Sequence, residues 1–335
     1  MSTRLVDRFD RSFSYLRLSL TDLCNFQCGY CLPEGCPKSA QNFLSLDEIR
    51  RLITAFAELG VKKIRLTGGE PSTRKDFLEI AHCVGAIPGI ETLALTTNGF
   101  YLEKDVAAYY EAGIRSLNVS VDSLQPEVFA KITGKDAFYR VMAGVEAALK
   151  LPFKVKLNAV LLKDLNHSEF PDFLNFVKDR PISVRFIELM QTGDNQDYFK
   201  VHHLSPAGFQ EQLLKAGWVL TNAAHHQDDG HFLPTTNGPA IEYSHPNYQG
   251  RIGFIAPYSK DFCASCNRLR LSARGELYLC LFTDLHYALR PLLQADSQKT
   301  ALQHKIQELL HLKKASHDLH QGNTGKTSDL AKIGG

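Results

Sequence analysis

The sequence predicts an α/β protein: a partial (β/α)6 TIM-like barrel over residues 1–204, and a C-terminal extension over residues 205–335 that closes it. Three observations carry that expectation. Strand-like and helix-like segments alternate over residues 15–190, the pattern of parallel strands joined by crossover helices. Six such units fall short of the closed eight-fold barrel, so the predicted barrel is open. After Ser205 the alternation gives way to one helical stretch, then to turn-rich sequence with short strands.

Each element has a local reason. "YLRLSLT" is the first strand. "SLDEIRRLITAFAELG" is a helix opened by a capping box of Ser45 and Glu48 and stopped at Gly60. "KKIRLTGG" and "ETLALTTNG" are strands, each followed by a helix, "TRKDFLEIAHCVGA" and "EKDVAAYYEAG". "SLNVSVDS" is the fourth strand, with helices near residues 126–132 and 138–150 after it. "KVKLNAVLL" and "SVRFIELM" are the fifth and sixth strands, separated by the helix "SEFPDFLNFVKD". "SPAGFQEQLLKAG" is helical, a terminal helix spans residues 297–314, and a polar tail ends in "IGG".

Side chains alternate across a strand. Arg17, Ser19 and Thr21 therefore oppose Leu16, Leu18 and Leu20; Arg65 and Thr67 oppose Ile64 and Leu66. Asn118, Ser120 and Asp122 oppose Leu117, Val119 and Val121, and Lys156 and Asn158 oppose Val155 and Leu157. With helices on the apolar faces, the polar faces point into the barrel, which implies a lumen holding water or a polar ligand. The competing reading is a set of merely solvated faces, as in an antiparallel sheet.

Composition narrows the class. Hydrophobic content of 44% and charged content of 22% fit a globular protein. A net charge of +2 implies no broad basic face for nucleic acid, so any anion site must be a local cluster. No apolar run is long enough to span a bilayer, and the N-terminus has no secretory core. A cytoplasmic location is expected, where thiols stay reduced. The eight cysteines then read as metal ligands before disulfides. Cys24, Cys28 and Cys31 form one triad, C-x3-C-x2-C, directly after the first strand. Cys263, Cys266 and Cys280 form a second, C-x2-C-x13-C. Cys83 falls in an apolar helical pattern and Cys36 in a loop. Three thiolates can hold three irons of a [4Fe–4S] cluster and leave the fourth open; a zinc site completed by a distant ligand is the alternative.

Arg268 and Arg270 lie two apart in "NRLRL" and share a face if extended. With Arg17, Arg65 and Lys156 they define a cationic pocket. Interior cations are costly unless paired, and a triphosphate would supply the charge. The alternative is that they pair with internal carboxylates such as Asp122 or Glu188; Arg185 is a further, less clearly oriented candidate. No Walker-type loop is present, which excludes a conventional nucleotide hydrolase. The pairs His202/His203 and His225/His226 read as solvated loop histidines.

The first triad, with Tyr30 before its last cysteine, and "TGGEP" after the second strand resemble the radical S-adenosylmethionine (SAM) family. Glycines there let backbone approach a ligand closely, and Glu70 or nearby carbonyls could accept from the SAM ammonium. That resemblance implies a [4Fe–4S] cluster on Cys24, Cys28 and Cys31, with SAM on its open iron. It implies SAM contacts from Tyr30, Gly69, Ser120 and Met190, and one-electron cleavage of SAM to methionine and a hydrogen-abstracting 5′-deoxyadenosyl radical. Adding "TTNG", "NVSVDSL", "KITG", "RFIELM", "GFIAP", "FCASCNRLRL" and the terminal "IGG", the chain resembles the GTP 3′,8-cyclase family of molybdenum cofactor biosynthesis over residues 15–335. This implies a second [4Fe–4S] cluster on Cys263, Cys266 and Cys280 that binds guanine. It implies GTP contacts from Arg17, Arg65, Thr96, Lys156, Arg268, Leu269 and Arg270, and catalytic roles for Arg17, Arg268, Arg270, Gly334 and Gly335. Implied partners are GTP, an electron donor and a downstream cyclic pyranopterin monophosphate synthase. Neither nucleic acid nor membrane is expected, and the chain would be a monomer or homodimer. The alternatives are another radical SAM enzyme with an auxiliary cluster, such as a peptide maturase, or a binding protein with two zinc or electron-transfer sites.

Overall fold

The computed structural model describes residues 4–36, 42–222, 239–260, 262–264, 266–283, 285–322, 324 and 330–334. Six strands follow the order read from the sequence: β1 (Tyr15–Ser19), β2 (Lys63–Thr67), β3 (Thr92–Thr97), β4 (Ile114–Ser120), β5 (Lys154–Leu161) and β6 (Ser183–Glu188). Each pairs in parallel with the next. The crossovers are α1 (Leu46–Glu58), α2 (Phe77–Gly85), α3 (Leu102–Glu111), α4 (Pro126–Thr133) with α5 (Phe138–Leu149), and α6 (Phe170–Lys178). The capping box that opens α1 is formed: Glu48 N–H donates to Ser45 Oγ at 3.2 Å and Ser45 N–H to Glu48 Oε2 at 2.8 Å. Helix α2 starts later than expected, because Pro71–Thr73 forms a 3-10 turn capped by Glu70.

Beyond β6 come α7 (Gln196–His202), α8 (Ala207–Lys215), β7 (Val219–Asn222), β8 (Ile241–Ser244), β9 (Arg251–Ile255), β10 (Arg268–Leu271), β11 (Glu276–Tyr278), β12 (Tyr287–Ala288) and α9 (Lys299–Leu310). The sequence pattern did not announce what two of these do. β9 pairs in parallel with β6, and β10 in parallel with β1, so the parallel sheet gains a strand at each edge. The antiparallel pairs β8–β7 and β11–β12 extend it outward. Among the described residues β9 and β10 do not pair with each other, so the barrel stays open. No helix among the described residues is long and apolar enough to cross a membrane.

The strand faces divide as the alternation requires. Leu16, Leu18, Ile64, Leu66, Leu117, Val119 and Leu157 are fully buried in one continuous core. Burying each such side chain contributes about 1.5–3 kcal/mol. The other face brings polar side chains into register: Arg270, Arg17 and Arg65 are neighbours across β10, β1 and β2. Ser120, Asn158 and Arg185 are neighbours across β4, β5 and β6.

Candidate active site

Cys24, Cys28 and Cys31 line a cavity of about 1000 Å³ at the C-terminal ends of the strands. Tyr30, Gly69, Ser120 and Met190, the four positions expected to contact SAM, line the same cavity. Burial pushes the Cys24 thiol up to about 11 and raises Cys28 further. A cation is what would hold such buried sulfurs as thiolates. Among the described residues no three His, Cys, Asp or Glu side chains converge on a point that one ion could fill. Three thiols on one cavity wall could hold three irons of a cluster and leave a fourth position open.

The turn "TGGEP" builds the wall of this cavity. Gly69 N–H donates to Thr21 O and Glu70 N–H to Leu23 O, both at 2.8 Å, so the turn is laced onto the loop carrying Cys24. A Cβ on Gly68 would lie 2.2 Å from Thr21 O, and one on Gly69 would lie 2.1 Å from Leu23 O. The two glycines are therefore needed first for docking one loop on the other, a stricter demand than ligand approach. Glu70 turns inward, accepting from Ser72 N–H at 3.1 Å, Thr97 Oγ1 at 2.9 Å and Asn98 N–H at 2.6 Å. These bonds fix the carboxylate between the turn and the end of β3. Asn98, from "TTNG", donates to Asn25 Oδ1 at 2.7 Å and reaches Cys24 Sγ at 3.9 Å.

Cys263, Cys266 and Cys280 line a second cavity, of about 1040 Å³, together with Arg17, Arg65, Arg268 and Arg270. Asn158, Ile187 and Met190 belong to the walls of both cavities, so the two adjoin. Although burial opposes it, Lys313 and Arg268 bring the Cys266 thiol down to about 7. Phe282 N–H donates to Cys280 Sγ at 3.5 Å. Arg11 ties the N-terminal segment to this site by donating to Cys263 O at 3.1 Å.

The cations of the second cavity are placed for an anion. Among the described residues Arg65, Arg268 and Arg270 make no ion pair with a carboxylate. Asp122 instead accepts from Tyr30 Oη at 2.9 Å, and Glu188 contacts His203 Nε2 at 3.1 Å. Arg185 is the exception: its Nε donates to Glu242 Oε1 at 3.0 Å in a buried pair, so it is committed. Burial, then Arg185, lowers the Lys156 amine to about 7. Asn118 Oδ1 and Asn158 Oδ1, which face the cavity, are buried without a hydrogen-bond partner among the described residues. Buried polar atoms of that kind ask for a ligand.

Not every expected GTP contact faces the second cavity. Thr96 lines the first, and reaches the second through Arg65 Nη1 at 3.3 Å. Leu269 turns its side chain into the hydrophobic core, so contact from it would run through its backbone. Lys156 lies in register with Asn118 and Ser183 on the lumen face. Arg270 donates to the carbonyls of Ile333 and Gly334, which seats the tail inside the barrel. Leu330 lines the first cavity. Gly335, and the pair His225/His226, lie outside the described residues.

Some arrangements escaped the sequence reading. His202 ends α7 and His203 caps it, so His203 is not a solvated loop residue but the partner of buried Glu188. Asn195, 1% exposed, donates to Tyr30 O at 3.1 Å and Met190 O at 3.0 Å, bridging two segments that line the first cavity. Cys36 accepts from Cys24 N–H at 3.1 Å, which places it beside the first triad. Cys83 is half-buried on α2 and joins neither.

Residues 18–177 match the Radical SAM superfamily and residues 182–319 match the Molybdenum Cofactor Synthesis C family. The chain is 53% identical to the GTP 3′,8-cyclase of Vibrio parahaemolyticus, over 98% of this chain and 97% of that protein. It is 52% identical to the GTP 3′,8-cyclases of Mannheimia succiniciproducens (100% and 97% covered) and Cronobacter sakazakii (100% of both). Among solved structures, Streptococcus suis SuiB bound to S-adenosylmethionine superposes with a TM-score of 0.59 at 11% identity, over 91% of this chain and 69% of that one. At that identity the likeness speaks for the fold alone.

Proposed function

Because the chain belongs to the GTP 3′,8-cyclase family of radical SAM enzymes, we propose that its two adjoining cavities divide one reaction between them. The enzyme converts GTP to 3′,8-cyclo-7,8-dihydro-GTP, the first step of molybdenum cofactor biosynthesis. In this reading Cys24, Cys28 and Cys31 hold a [4Fe–4S] cluster, and Tyr30, Gly69, Ser120 and Met190 orient SAM. Bound and reduced, that cluster with SAM supplies the one-electron chemistry that generates a hydrogen-abstracting radical. Cys263, Cys266 and Cys280 hold a second [4Fe–4S] cluster that anchors guanine. Arg17, Arg65, Lys156, Arg268 and Arg270 neutralise the triphosphate, Thr96 sits between the two ligands, and the backbone at Leu269 completes the contact. The tail at Gly334 and Gly335 excludes water. An electron donor and a downstream cyclic pyranopterin monophosphate synthase complete the set of partners, and the enzyme works in the cytoplasm as a monomer or homodimer.

The observation that carries this reading is the shared wall. Two three-cysteine sites open onto cavities that meet at Asn158, Ile187 and Met190, with a cationic floor under the second. Arg268 tests it. Among the described residues its guanidinium makes no hydrogen bond or ion pair, and it lies 5.8 Å from the Phe262 ring centroid. Arg268→Ala should weaken GTP binding by roughly tenfold or more, the value of a charged hydrogen bond, while iron content is unchanged. Unaltered GTP affinity would remove Arg268 from the phosphate site.

A further inference from the structure

One buried group of the second cavity has no part in the account above. Tyr15 opens β1 at 8% exposure and lines the cavity floor. Its register partners are Arg268 on β10 and Lys63 on β2. Arg65 Nε donates to its phenol oxygen at 2.6 Å, and Lys63 Nζ lies 5.0 Å from its ring centroid. The same guanidinium is fixed on its other side, where Nη1 donates to Leu95 O at 2.9 Å. Nη2 has no partner among the described residues. Tyr15 and Leu95 thus hold the fork by two atoms and leave the third for a ligand.

We propose that Tyr15 is a counter-charge built into this cavity for Arg65, positioning its fork and taking up a proton when a polyphosphate arrives. The inference rests on the reading that the cavity receives a nucleoside triphosphate. Among the described residues the charged groups beside the phenol are cationic, Arg17 on its own strand, Lys63 and Arg65 on β2, and Arg268 and Arg270 on β10, and the titratable thiols of Cys263, Cys266 and Cys280 line the same cavity. Burial alone would push the phenol up, but Arg65, Arg17 and Lys63 outweigh it and bring it down to about 7. Without ligand the oxygen therefore carries negative charge above that pH. An incoming triphosphate places several negative charges beside it, so the anionic form loses its advantage and a solvent proton binds to the oxygen. The group positions a substrate-binding residue and takes no part in bond making.

The test is calorimetric titration of GTP into cluster-loaded protein at pH 8 without reductant, in two buffers of different ionisation enthalpy. Wild-type protein should take up about one proton more per GTP than Tyr15→Phe, since a phenol at about 7 is mostly ionised at pH 8. Lys156 contributes equally to both and cancels. Replacing Tyr15 by 3-fluorotyrosine, a more acidic phenol of nearly the same shape, should move the onset of proton uptake to lower pH. This second measurement also serves if Tyr15→Phe does not fold. Equal proton uptake by wild type and Tyr15→Phe, or an onset unmoved by the fluorinated residue, would overturn the proposal. Failure of wild-type protein to bind GTP at all would instead overturn the reading of the cavity.

Discussion

Cys280→Ala protein, reconstituted with iron and sulfide, is expected to carry about four iron atoms per chain where wild type carries about eight. It should still cleave SAM slowly but lose GTP turnover by at least about 10²-fold, the scale of a misplaced substrate. The reason is spatial separation. Cys280 lines the second cavity and not the first, whose walls come from the C-terminal ends of β1 to β6, the loops after them and Leu330 of the tail. Deleting its thiol leaves Cys24, Cys28 and Cys31 untouched. What is lost is the group that would fix the base while Arg17, Arg268 and Arg270 hold the phosphates. Iron analysis with parallel assays of 5′-deoxyadenosine and nucleotide product separates the two effects. Full GTP turnover by this variant would remove the second triad from the reaction.

Gly334→Val should be nearly as damaging with both clusters loaded. Gly334 has φ +63°, where a β-branched residue is strained by about 1–2 kcal/mol. A Cβ there would also lie 2.2 Å from Thr67 Cγ2. Thr67 ends β2 immediately before the two glycines of "TGGEP", so it cannot yield without moving the turn that walls the first cavity. The tail must leave instead. It would take with it the Arg270 contacts and the burial of Leu330 and Ile333 against Leu281, roughly 1.5–3 kcal/mol per side chain. Both cavities would then open to water. We expect product formation to fall about 10²-fold and SAM cleavage to become uncoupled from GTP conversion. Coupled turnover at the wild-type rate would show that the tail does not close the site.

Much of this was legible in the chain itself. The strand faces could be assigned because a two-residue period puts Arg17 and Leu18 on opposite sides, and burial bears that out. Both triads were legible because cysteine spacing is local. What was hidden depends on partners distant in sequence. Neither β9 nor β10 is reached by a single crossover helix, the pattern that marks parallel pairing, and their places beside β6 and β1 are fixed by tertiary contact. The capture of Arg185 by Glu242 spans 57 residues, and nothing near either marks it. The glycines of "TGGEP" were legible as close-approach positions, but their neighbour is the Cys24 loop. Asn195 and His203 bear no motif; only the fold places them beside Met190 and Glu188.

In the proposed mechanism one chain couples SAM cleavage at the first triad to cyclisation of GTP held at the second. Anaerobic incubation of the reduced protein with SAM and GTP deuterated at C3′, followed by mass analysis of both products, tests it most directly. The account predicts a nucleotide that is a cyclised isomer of GTP, and deuterium recovered in 5′-deoxyadenosine. SAM cleavage with GTP recovered unchanged and its deuterium in place would contradict it.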